Sequence, residues 1–148
     1  MSSRIRTIIA IAVVGVASLA TGSAAASADA VGAGRSSHVW GTAEEVPGTA
    51  ALNQGSQAQI LSMSCASAGN CSAGGSYIDS SGHRQVFVVN QVNGTWQTAI
   101  EVPGTAALNR GGDAYIASVS CGAAGNCSTG GFYTDSSGRE QAFVDSEK

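Results

Sequence analysis

The chain has 148 residues, with 7 Lys and Arg against 10 Asp and Glu, for a formal net charge of −3. Charged residues make up 11% and aromatics 5%, while glycine alone takes 20 positions; this excludes a long amphipathic helix bundle, which draws on Glu, Lys and Leu. Few, scattered cations under a net negative charge exclude the basic patch that nucleic acid requires as a partner, and the length accommodates one ordinary domain at most.

Residues 1–28 have the three parts of a secretory signal peptide. Arg4 and Arg6 form a positive start, Ile8 to Ala20 is an apolar run, and Ala26-Ser27-Ala28 is an A-x-A cleavage site before Asp29. The apolar run of thirteen residues is short for a membrane span, so a secreted chain without a retained span is expected. Removing residues 1–28 takes two of the seven cations and none of the ten anions, so the remaining 120 residues carry −5. Residues 29–37 are expected to be a flexible mature N-terminus.

From there an ungapped internal repeat organises the chain. Glu45-Val-Pro-Gly-Thr-Ala-Ala-Leu-Asn53 recurs unchanged as Glu101 to Asn109, a period of 56 residues. Aligning Trp40–Val92 with Trp96–Lys148 covers 53 positions, of which 33 are identical. Two copies of one structural unit follow, within a repeat domain over 38–148.

The first predicted element is a strand over 38–47, the counterpart of Trp96 to Pro103. Unit one spans 57–103, and its signals are for strands rather than helices. Ile60 to Cys65 and Cys71 to Asp79 are joined by Ala66 to Asn70, and Asp79-Ser-Ser-Gly82 makes the next turn. Gln85 to Val92 and Thr95 to Val102 flank Asn93-Gly94, the strongest short hairpin signal. A two-residue loop pairs Gln91 with Trp96, Val89 with Thr98 and Phe87 with Ile100. Phe87, Val89, Trp96, Ile100 and Val102 then share the inner face. Pro103 to Gly112 is a long loop into unit two, 113–148, which stops before its own Asn-Gly turn and fourth strand.

The predicted fold is therefore all-β: two tandem four-stranded antiparallel units resembling propeller blades. A small β-sandwich built from a duplicated meander is the alternative. Closed propellers need four to eight blades. The strand over 38–47 is spare where unit two lacks one, so a homo-oligomer of about three chains closing a ring is expected. A truncated remnant of a longer repeat protein is the competing expectation.

Four cysteines in an exported chain point to disulfides. The repeat favours Cys65–Cys71 and Cys121–Cys127, each closing its own hairpin and stabilising by about 2.4 kcal/mol on chain entropy. The x5 spacing is wide for zinc, and no metal or other cofactor is expected.

Ser62-Met-Ser-Cys65, Asn70-Cys71-Ser-Ala-Gly-Gly75, their counterparts from Ser118 to Gly131, and Asn93-Gly-Thr-Trp96 resemble repeats of secreted bacterial propeller-type proteins. The resemblance covers nearly all of 40–148 and implies a scaffold architecture rather than an activity. It departs from that family in having two units where a closed ring needs more.

Residues for catalysis are sparse. His38 and His83 align with Gly94 and Arg139, and no Ser sits in a nucleophile elbow. Asp79 and Asp135 start Asp-Ser-Ser-Gly turns that miss the Asp-box spacing of sialidases, and both are explained as turn formers. The three N-x-Ser/Thr sequons, at Asn70, Asn93 and Asn126, are read as coincidental. No catalytic residue is assigned. The candidate ligand-binding residues are Trp40 and Trp96, which could stack on sugars although their alignment with an apolar face favours core packing, and Arg110, Asp113 and Tyr115, which differ between the copies. The expected function is a secreted, non-catalytic module that binds an extracellular carbohydrate or envelope ligand, or serves as a scaffold. A glycosidase or sialidase relative is the alternative.

Overall fold

The computed structural model describes residues 39–148. The signal peptide, the expected flexible N-terminus and His38 lie outside the described residues. The compact unit is Gly41–Lys148. It is all-β, with two antiparallel sheets that do not close into a barrel.

Sheet A contains β1 (Ala58–Ser67), β2 (Asn70–Ile78), β3 (Arg84–Val92), β4 (Thr95–Trp96) and β5 (Ile100–Glu101). Sheet B contains β6 (Ala114–Ala123), β7 (Asn126–Thr134) and β8 (Glu140–Ser146). Each sheet is a simple meander made by one repeat, and β6 lies against β1, β2 and β3. The hairpin turn between β3 and β4 forms as its sequence demands, with positive φ at Asn93 (49°) and Gly94 (84°).

The fourth strand departs from the expected register. Gln91 pairs with Trp96, but Val88 rather than Phe87 pairs with Ile100, and Phe87 pairs with Glu101. One extra residue between Trp96 and Ile100 splits the strand into β4 and β5. Because side chains alternate along a strand, this slip moves Ile100 and Val102 to the opposite face from Phe87, Val89 and Trp96. Val102 is buried against Val86, whereas Phe87 and Val89 pack with Tyr77, Ala99, Val46 and Leu52.

The loops before β1 and β6 hold two helices the strand signals do not reveal, α1 (Thr49–Leu52) and α2 (Thr105–Leu108). Their helical geometry follows a local hydrogen bond. The Thr49 and Thr105 hydroxyls each donate, at 2.7 Å, to the carbonyl three residues back, Val46 and Val102. Within the strand expected over 38–47, residues 39–46 carry no strand. The edge of β3 that their counterparts join is already occupied by β4 and β5, and a strand needs a ladder partner.

Both sheets have the same two faces. Bulges in β1 and β6 at equivalent places put Ala58, Ile60 and Met63, and Ala114, Ile116 and Val119, on the front of their sheets. The front of sheet B packs on the back of sheet A. The core between them comprises Val86, Val102, Ala114, Ile116, Val119 and Phe143, with Leu61, Val88 and Tyr133 at its margin. Backbone amides add to this contact: Val119 N–H donates to the Ser62 hydroxyl at 2.9 Å, and Cys121 N–H to the Ser64 hydroxyl at 3.1 Å.

Candidate functional site

Disulfides pin one end of each sheet. Cys65 is bonded to Cys71, with Cα atoms 3.9 Å apart, and Cys121 to Cys127, at 4.0 Å. Both pairs sit across directly opposed residues of a hairpin, as the repeat predicts. The other end of each sheet carries the Asp79 or Asp135 turn.

Between the sheets, toward the disulfide end, lies a cleft of about 340 Å³. Its apolar lining is Val88, Ile100, Pro103 and Val119, and its polar lining includes Asn90, Thr129, Asp145 and Glu147. The register slip places Ile100 here, since it turns that side chain away from the Phe87 face. A hydrogen-bonded chain organises the polar side. The Ser72 hydroxyl donates to Asn90 Oδ1 at 2.7 Å, Asn90 Nδ2 donates to Glu147 Oε1 at 2.8 Å, and Glu147 N–H donates to the Cys127 carbonyl at 2.9 Å. Asn90 is thereby fixed in one orientation, with a carboxylate beside it. Such a cleft offers apolar contact and convergent polar groups, the usual make-up of a small-ligand site.

The turn aspartates have a different task. Asp79 accepts from Ser81 N–H at 2.8 Å, His83 N–H at 3.0 Å and Gln85 Nε2 at 2.9 Å. Partial burial opposes its ionisation, but the hydrogen bonds from Gln85, His83 and Ser81 outweigh it and lower its pKa. Asp135 accepts from the Arg139 and Ser137 amides and from Gln141, and these hydrogen bonds hold it at about 2. A general acid needs the opposite shift. Tyr77 is the other perturbed group. Burial and the neighbouring Glu101 carboxylate, to which its hydroxyl donates at 3.1 Å, push its pKa well up. Among the described residues no group of three or more His, Cys, Asp or Glu is placed to hold a metal ion.

The five candidate ligand residues do not converge. Trp40 is 96% exposed and carries no strand. Trp96 is half-buried at the disulfide end, packed against the Phe87 cluster. Arg110, Asp113 and Tyr115 lie at the opposite end. Arg110 Nε donates to the Ala107 carbonyl at 3.2 Å, and Asp113 is ion-paired with Arg84 at 2.7 Å. Tyr115 stacks on Phe132, with ring centroids 5.7 Å apart. None of the five lines the cleft.

No family model, curated protein or solved structure matches the chain.

Sequence reasoning missed the cleft residues Asn90, Ile100, Asp145 and Glu147. A signal for three of them, Asn90, Asp145 and Glu147, was present. The longest run of differences between the copies is Val89-Asn-Gln-Val92 against Asp145-Ser-Glu-Lys148, and all four residues of the second stretch line the cleft. Ile100 carried no comparable signal, since its direction depends on the slip. Among the described residues no helix is long and apolar enough to cross a membrane.

Proposed function

We propose that the chain is a secreted, non-catalytic β-repeat module that binds an extracellular carbohydrate in the cleft between its sheets and acts as an envelope scaffold. The observation carrying the binding part is the pairing of an apolar wall, Val88, Ile100 and Val119, with Asn90, Asp145 and Glu147. A sugar ring presents the same two surfaces, C–H faces and a hydroxyl edge. Secretion is supported by the signal-like residues 1–28 and by two local disulfides, which persist in oxidising compartments. The lowered pKa values of Asp79 and Asp135 favour turn formation over general acid catalysis. As a scaffold, the chain resembles secreted bacterial propeller repeats and assembles as a ring of about three copies, six sheets in all.

A glycan array probed with the secreted protein tests the binding part. The expected result is a restricted set of hits that Asn90→Ala weakens and Arg110→Ala leaves intact. An array without hits removes the carbohydrate reading. Turnover of chromogenic glycosides, abolished by Asp79→Asn or Asp135→Asn, would replace it with the glycosidase reading.

A further inference from the structure

Along β1 and β6 on the front, and along β3 and β8 on the back, matching positions of the two repeats have opposite exposure. On the front, Ala114, Ile116 and Val119 are buried in sheet B, while Ala58, Ile60 (39% exposed) and Met63 (53%) are open in sheet A. On the back the order reverses. Val86 is fully buried in sheet A, and its counterpart Ala142 is exposed in sheet B. Val88 is half-buried, and its counterpart Val144 is 87% exposed. The chain therefore carries both halves of its own internal sheet contact a second time. The β1 part of the front of sheet A and the back of sheet B have no sheet packed on them among the described residues, while Val46 and Leu52 cover Phe87 and Val89 on the rest of that front.

We propose that a second copy of this chain docks head-to-tail on the first, the front of its sheet A against the back of the first copy's sheet B. This rests on the scaffold part of the reading above and is independent of the carbohydrate part. The internal stack is the template. Gly74 on the back of sheet A lets Ile116 and Val119 approach, and Gly130 holds the same place on sheet B for Ile60 and Met63 of the second copy. The Ser62 and Ser64 hydroxyls accept amides of β6, and Ser118 and Ser120 offer the same acceptors to β1 of the second copy. Sizes also compensate. The back of sheet B has Ala117 and Ala142 where sheet A has Leu61 and Val86, and the front of sheet A has the longer Met63 where sheet B has Val119.

The strand edges agree with this docking. β8 pairs only with β7 among the described residues, whereas its counterpart β3 also pairs with β4 and β5. Glu44-Glu45 aligns with Ile100-Glu101, so the segment before α1 of the second copy lies along β8 of the first. Tyr77 donates to Glu101 within sheet A; across the copies the same positions are Tyr133 and Glu45. The contact is heterologous, joining different surfaces on the two copies, so it propagates into a closed ring or an open chain rather than stopping at a symmetric dimer.

Sedimentation velocity on the secreted chain tests the proposal with two variants, Met63→Asp on the front and Val144→Asp on the back. Both side chains are more exposed than buried, so each variant keeps its fold, checked by circular dichroism and thermal melting. The wild type is expected to sediment as an assembly and each variant alone as a monomer. An equimolar mixture is expected to form a one-to-one dimer, because each variant supplies the face the other lacks. A monomeric wild type at the highest concentration reached overturns both the docking and the scaffold reading. An assembled wild type whose single variants also assemble, or whose mixture stays monomeric, overturns the docking faces alone.

Discussion

Gly74 is in close apposition to Ile116: a Cβ built on Gly74 would stand 2.7 Å from Ile116 Cδ1 and 2.9 Å from Val119 Cγ2. The two sheets stack as closely as they do because sheet A has no side chain at this point. At Gly130, the matching place on sheet B, the nearest atom to such a Cβ is the Phe143 carbonyl oxygen, at 3.2 Å. Gly74→Ala is therefore expected to destabilise the fold by about 1–3 kcal/mol through overpacking. Gly130→Ala is expected to change stability by about 0.5 kcal/mol or less and to weaken self-association. Urea denaturation, followed by sedimentation of the Gly130 variant, separates the two effects.

Ile60 and Ile116 make a second matched pair, one 39% exposed and the other fully buried. Truncating Ile116 to Ala is expected to cost about 2–5 kcal/mol, since it opens a cavity between the sheets. Ile60→Ala is expected to cost about 1 kcal/mol or less in the dissociated chain, because much of that side chain already faces water. Denaturation midpoints of the two variants check the contrast.

The carboxylate of Asp135 gives a pH signature. Hydrogen bonds lower its pKa in the folded chain from an ordinary 3.8 to about 2, and Asp79 shifts in the same direction. A depressed folded value means stability that is fully present above the unfolded pKa and is lost as pH falls toward the folded one. Asp135→Asn is thus expected to melt below the wild type at neutral pH, with the gap closing between about pH 4 and pH 2. Thermal melts across that range measure it; a gap constant with pH would contradict the role of the charge.

Asp113 differs between the copies, but its carboxylate is engaged by Arg84 at 2.7 Å. The two side chains are 40% and 46% exposed, and an ion pair so open to water is worth about 0–1 kcal/mol. Asp113→Asn is expected to change the melting temperature little in moderate salt and to leave ligand binding in the cleft unaltered.

Reducing the disulfides is expected to lower stability modestly rather than abolish folding. Each bridge closes a short loop, with Cys65 and Cys71 six residues apart, so chain entropy assigns it about 2.4 kcal/mol. Replacing Cys121 and Cys127 together by Ala, and comparing melts with and without reductant, tests whether the remaining bridge behaves the same way.

The amino-acid sequence alone determined the features whose causes are local. Asn93-Gly94 dictates a turn with two positive φ values, Asp79 and Asp135 supply acceptors for the amides just after them, and the 56-residue repeat assigns each cysteine a partner in its own hairpin. The β-branched residues of Gln85 to Val92 and the turn signals on either side mark strands that pair locally in hairpins. What only the tertiary structure decided depends on contacts between distant segments. The extra residue between Trp96 and Ile100 turns Ile100 into the cleft, and no local preference marks it, since the fourth strand is placed by its ladder to β3. The bulges in β1 and β6 set which residues face the neighbouring sheet, and they bring Val119 rather than Ser118 to the core. The same residue at matching positions, Ile60 and Ile116, has different surroundings because only Ile116 has another sheet on top of it. Burial is a property of the stack, and the repeat by itself contains both outcomes.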